Sequence, residues 1–180
     1  MSELRFFNTL GRTKQVFESL EPGRVRIYSC GPTVYSRQHI GNMRPYVFAD
    51  LLKRTLRLFG YQVVHVVNVT DVGHLTDDAD RGEDKMELAA QRCGESVWEV
   101  AARYTRLWQD DLEKLGVERP DELCRATDHV PEQIAMIQAL EERGFTYRIR
   151  DGVYFDTARS PHYGELSGVD FDAQQAQERI

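Results

Sequence analysis

Ten residues, Tyr61–Thr70 (YQVVHVVNVT), constrain this chain more than any others. They are rich in valine and nearly continuous in apolar side chains, a pattern that suits a strand buried on both faces of a parallel sheet. A parallel strand needs a crossover from its neighbour, and the preceding residues supply one. Arg24–Ser29 reads as a short strand launched by the turn Glu21-Pro22-Gly23, and a helix begins near Gly41 and stops at Gly60. Along that helix Val47, Phe48, Leu51, Leu52, Leu56 and Phe59 share one stripe, which is predicted to pack on the sheet. Asp50, Lys53, Arg54 and Arg57 take the other side. Strand, helix and strand make a βαβ unit with a right-handed crossover, so both strands end on one sheet edge. Open α/β sheets bind their ligands at that carboxyl edge.

The loop between the first strand and the helix carries the chemistry. It holds Cys30, Gly31 and Pro32 and closes on His39-Ile40-Gly41-Asn42 at the helix start. The first N–H groups of a helix lack intrahelical partners and sit at the positive end of its dipole, which favours a phosphate there. The spacing matches neither G-x-G-x-x-G nor a Walker loop.

Thr76–Asp84 (TDDADRGED) is acidic but has the wrong glycine and glutamate positions for a calcium loop, and reads as solvated. Ser96 and Glu99 form a capping box ahead of a helix whose apolar period runs from Val97 through Tyr104 and Trp108 to Leu115, stopped by Gly116. Tyr104 and Trp108 are read as core. A further helix is marked by Val130, Pro131, Ile134, Ile137 and Leu140, with Gly144 past its end. Two strand-like runs, Phe145–Arg150 and Val153–Asp156, are joined by Asp151-Gly152, a strong hairpin signal. No second set of sheet strands is evident beyond Thr70.

Composition narrows the classes. A net charge of −6 argues against a nonspecific nucleic-acid coat. There is no apolar run of transmembrane length and no signal-peptide core, so no membrane partner and a cytoplasmic location are expected. Cys30, Cys93 and Cys124 have no C-x-x-C spacing, which suits a reducing compartment.

The segments FFNTLGRTKQVF, VRIYSCGPTVYSRQHIGN, GYQVVHVVNVTDVGHL, RATDHVPEQIAMIQALEERGFTY and YFDTARSPHYGELSG resemble, in order and spacing, the N-terminal part of cysteinyl-tRNA synthetase, with a mycothiol-pathway cysteine ligase as near relative. The resemblance implies the first half of a Rossmann-like α/β sheet over 1–75, an inserted, mainly helical module carrying a hairpin over 76–168, and a polar tail over 169–180 where the chain is cut. It implies activation of cysteine with ATP, as its magnesium complex, to cysteinyl-adenylate, followed by transfer to tRNA(Cys). His39 and Asn42 would be the catalytic pair at the phosphates, with Gly41 giving the adenine close approach. Asn42 stands where the family usually has a second histidine; an amide donates a hydrogen bond but carries no positive charge. Gly31, Thr33 and Thr70 would shape the amino-acid pocket. Cys30 matches one zinc ligand, and in the family the zinc selects the substrate thiolate over a hydroxyl.

Much of the family's chain lies outside these 180 residues: the second half of the sheet, three further zinc ligands, the Lys-Met-Ser-Lys-Ser loop and the anticodon-binding domain. One zinc ligand of four does not hold the metal tightly. Two alternatives to a synthetase portion stand beside it: a paralogue doing nucleotide binding or nucleotidyl transfer without tRNA charging, and a non-catalytic interaction module. An unfinished sheet exposes an edge, so the missing C-terminal half or a self-associated copy is the expected protein partner. His65, His74, His129 and His162 are read as structural or solvated.

Overall fold

The computed structural model describes residues 3–72 and 85–168. In chain order its elements are a hairpin of β1 (Arg5–Asn8) and β2 (Thr13–Val16), strand β3 (Arg24–Ser29), helix α1 (Ile40–Leu58), strand β4 (Gln62–Val69), helices α2 (Lys85–Cys93) and α3 (Val97–Lys114), strand β5 (Glu122–Arg125), helix α4 (Val130–Glu142), and a hairpin of β6 (Thr146–Ile149) and β7 (Gly152–Phe155). The chain divides into two compact units, Ser19–Val130 and Met1–Glu18 with Pro131–Ile180. β5 returns to the sheet within the unit Ser19–Val130.

In the unit Ser19–Val130 the three strands lie in the order β3-β4-β5, all parallel. β5 is a strand that the sequence did not announce: Glu-Leu-Cys-Arg has no apolar run, and it pairs Val66 to Glu122 through Val69 to Arg125 on the free side of β4. Both crossovers, β3 to β4 and β4 to β5, step the same way across the sheet. Right-handed connections in one direction place their helices on one face. That face carries Val63, His65, Val67 and Val69, all buried, while Val64, Val66 and Asn68 on the other are half-buried. The expectation of burial on both faces is therefore corrected. In a doubly wound sheet the second face is covered by connections running the opposite way from the first strand.

The core gathers Met43 and Tyr46 of α1, Val67 and Val69 of β4, and Val100, Trp108 and Leu112 of α3. Tyr46 meets Trp108 edge to face at 5.3 Å, the geometry that the ring quadrupoles favour. Ser96 and Glu99 make the expected capping box on α3, and Gly116 takes φ 71° just past it.

The orientation of α1 differs from the sequence reading. Its buried residues are Met43, Tyr46, Ala49, Asp50, Lys53 and Leu56, whereas Phe48 and Leu51 are 67% and 58% exposed. The two charges survive burial because main-chain groups answer them. Lys53 Nζ donates to the Arg119 carbonyl at 3.1 Å and lies 3.2 Å from Asp121. Asp50 accepts the Glu118 N–H at 3.0 Å and the Arg54 Nε–H at 2.7 Å. Buried polar groups so satisfied cost little.

In the other unit, β6 and β7 form the expected hairpin with a different turn. Ile149 pairs with Gly152, so Arg150 and Asp151 make the connection and Gly152 opens β7. Ile134 and Ile137 of α4 are at least 44% exposed. Residues Thr76–Asp84, His74 and the tail from 169 lie outside the described residues.

Candidate active site at the carboxyl edge of the sheet

The loop leaving β3 and the first turn of α1 enclose a cleft of about 510 Å³. Cys30, Gly31, Thr33, His39, Gly41 and Asn42 all line it, so six of the seven residues singled out in the sequence come together. Thr70 is not among the lining residues, but it ties the loop down. Its N–H donates to the Pro32 carbonyl at 2.9 Å, its carbonyl accepts the Val34 N–H at 3.2 Å, and Thr33 and Thr70 form a parallel bridge.

His39 is the N-cap of α1. Its Nδ1 accepts the Gly41 N–H at 3.1 Å, and the Asn42 Oδ1 accepts the His39 N–H at 3.1 Å, which closes a capping box. An imidazole that accepts at Nδ1 while neutral carries its proton on Nε2, so His39 keeps a donor for a ligand. Asn42 likewise keeps its Nδ2 amide. A Cβ on Gly41 would stand 2.9 Å from His39 Cε1, so glycine here also makes room for the cap.

Gly31 is held more tightly. A Cβ there would lie 1.6 Å from the Asn68 carbonyl oxygen, inside bonding contact. No side chain fits between the loop and β4. Further on, Arg37 makes a paired contact with Asp111 at 3.0 and 3.2 Å, fastening the loop to α3.

Four groups here were not signalled by the sequence. Tyr46 walls the cleft; burial, helped by the neighbouring Cys30, pushes its phenol up to about 12, so it stays a donor. His65, read only as structural, is buried with its Nε2 2.6 Å from Ser29 Oγ, and Ser29 lines the cleft. Burial, followed by the nearby Lys53 ammonium, lowers the His65 pKa and favours the neutral ring. Gln38 donates to the Thr33 carbonyl at 3.3 Å. Asn68 bonds across the loop. The Tyr46, His65 and Asn68 contacts join distant segments, and only the period-two placement of His65 and Asn68 on opposite faces of β4 was visible in the sequence.

Cys30 is an exposed free thiol. Zinc ordinarily takes four ligands, and among the described residues no group of three or more His, Cys, Asp or Glu comes together. The described residues therefore do not make a zinc site. Among them, too, no helix is long and apolar enough to cross a membrane.

A parallel sheet with its cleft above the strand ends, capped by a helix N-terminus, is the nucleotide-binding arrangement of open α/β folds. Solved structures carry the same fold. An Agrobacterium radiobacter K84 LeuRS in ternary complex with tRNA and LeuAMS aligns with a TM-score of 0.56 at 22% identity, covering 73% of this chain and 16% of its own. A Campylobacter jejuni chain described as an arginyl tRNA synthetase aligns with a TM-score of 0.56 at 15% identity, covering 80% of this chain and 40% of its own. The fold is thus that of the class I synthetases' Rossmann-like catalytic domain.

Residues 16–180 match the family described as the tRNA synthetases class I (C) catalytic domain, and the chain belongs to that family. Cysteine--tRNA ligase 1 of Burkholderia lata is 51% identical over 177 residues, which is 98% of this chain and 38% of the relative. Cysteine--tRNA ligase of Treponema denticola is 48% identical over 177 residues, 98% of this chain and 36% of the relative. The chain thus spans less than two fifths of the length of these curated relatives.

Proposed function

We propose that this chain forms the cysteine- and ATP-binding part of a cysteine--tRNA ligase, which activates cysteine to cysteinyl-adenylate and passes it to tRNA(Cys). The observation that carries this reading is the single cleft that joins the Cys30–Thr33 loop to the His39–Asn42 helix start. One end of it offers main-chain groups fixed to a β-strand, and the other offers the positive end of the α1 dipole and two side-chain donors.

In the first step a carboxylate oxygen of the amino acid bonds to the α-phosphorus of ATP. The bond from that phosphorus to the bridging oxygen breaks, and pyrophosphate leaves with the electron pair. No protein group forms a covalent bond. The residues contribute by alignment and by donors aimed at growing negative charge. His39 through Nε2–H, Asn42 through Nδ2–H, and the α1 dipole serve the phosphates. Gly41 gives close approach to the nucleotide; Gly31, Thr33 and Thr70 frame the amino acid. Cys30 is the residue that would contribute to a zinc site completed by ligands elsewhere.

The test is cysteine-dependent exchange of pyrophosphate into ATP by the protein as encoded by its gene. Exchange that requires cysteine and falls on His39→Ala supports the reading. ATP turnover indifferent to cysteine would favour nucleotidyl transfer on another substrate, and absence of ATP binding at millimolar concentration would leave an interaction module.

A further inference from the structure

Asn68 bonds to Tyr28, Gly31 and Thr70, and of these Gly31 lines the cleft. It lies near the end of β4, on the sheet face turned away from α1. Its Oδ1 accepts the Gly31 N–H at 2.8 Å and the Tyr28 hydroxyl at 3.0 Å. Its Nδ2 lies 3.1 Å from Thr70 Oγ1.

The polarity of this cluster follows from chemistry. A main-chain N–H only donates, so the carboxamide oxygen must face Gly31. The amide nitrogen is then the atom beside Thr70. An NH2 group also only donates, so the Thr70 oxygen accepts, and the one proton of that hydroxyl is turned away from Asn68. Without Asn68 the Thr70 hydroxyl could either give or take in that direction. With it, the proton is reserved for an acceptor elsewhere. The same residue's main-chain oxygen is the wall against which Gly31 rests.

We propose that Asn68 is a positioning residue for the amino acid: it clasps the Cys30–Gly31 main chain to β4 and holds the Thr70 hydroxyl as a donor to the substrate carboxylate. This rests on the reading of Gly31, Thr33 and Thr70 as the amino-acid side. A carboxylate accepts only, and an ammonium donates only, so a reserved donor discriminates between the two ends of the amino acid.

Asn68→Asp is nearly isosteric. It keeps oxygens for Gly31 and Tyr28 but puts an acceptor where Nδ2 stood, drawing the Thr70 proton to itself. In the protein as encoded by its gene, pyrophosphate exchange should show the KM for cysteine raised on the order of tenfold. The KM for ATP should stay within about twofold, as an interaction confined to the amino acid requires. In a Thr70→Val background the same change should add little, since its target is gone. If Asn68→Asp does not fold, Asn68→Ser removes both bonds and should give the same split. An equal rise in both KM values, or an undiminished effect in the Thr70→Val background, overturns the inference. Cysteine-dependent exchange that responds to Thr70→Val but not to Asn68→Asp overturns the inference alone, whereas a wild-type protein without cysteine-dependent exchange overturns the functional reading with it.

Discussion

The imidazole Nδ1 of His39 accepts the N–H of Gly41 at 3.1 Å, so the residue assigned to the phosphates also ends the helix that presents them. The two roles are separable. His39→Asn keeps a capping side chain and should melt within a degree or two of the parent, about the scale of a few tenths of a kcal/mol. His39→Ala loses the cap and should cost about 1 kcal/mol. Both should reduce the exchange rate by roughly a hundredfold, the scale for losing one donor to a developing charge. Calorimetry beside the exchange assay checks it; a fully active His39→Asn would remove histidine from the chemistry.

Gly31→Ala should be among the most damaging single changes in the loop. Its Cβ would meet the Asn68 carbonyl at 1.6 Å, and backbone, not a side-chain tip, would have to move. Overpacking of this kind costs about 1–3 kcal/mol or more. Urea unfolding should report that loss, and cysteine affinity should fall with it. A variant as stable as the parent would mean that the loop and β4 part readily.

Stability should respond to pH in two steps. The His65 pKa is lowered in the folded chain, chiefly by burial and then by Lys53. The unfolded chain therefore binds a proton first, and stability present above pH about 6.5 is lost as pH falls below that value. Burial works to raise the Asp121 carboxyl, but the His65 N–H and the Lys53 and Arg57 cations outweigh it and hold it low. Its contribution is present above about pH 3.9 and disappears as pH falls further, through the folded value. Melting temperatures across pH 3–8 should show both declines. His65→Asn should flatten the upper one only; a curve unchanged by it would sink the assignment.

Phe48 and Leu51 project from the face of α1 that carries no partner among the described residues, beside a sheet whose β3 edge is unpaired there. Such an edge and such side chains invite association. The 180-residue chain should sediment with concentration-dependent mass, and Phe48→Glu with Leu51→Glu should lower that mass without lowering the melting temperature. A concentration-independent monomer before mutation would contradict this.

Local pattern reaches as far as local causes do. The valines of β4, the Ser96 cap of α3 and the glycines closing α1 and α3 act through neighbours in the chain, and all are legible from residues in order. The buried side of α1 is not: Lys53 and Asp50 are satisfied by Arg119 and Glu118, main-chain partners brought up by the return of the chain to β5. An amphipathic count ranks those charges as outward because it cannot see them answered. β5 is invisible for a related reason, since its pairing is offered by β4 and not demanded by its own side chains. In the cleft, the His39–Asn42 turn is readable because a helix start is a local event. Asn68 is not, because its role exists only once Gly31 lies across it.

Tyr46 serves two masters. It walls the cleft on one side and stands edge-on to Trp108 of α3 on the other. Displacing α3 would therefore tilt a ring that lines the cleft, and Arg37 with Asp111 links the same helix to the loop ahead of α1. A macromolecule gripping α3 would thus have mechanical purchase on the shape of the cleft, through two joints already in place.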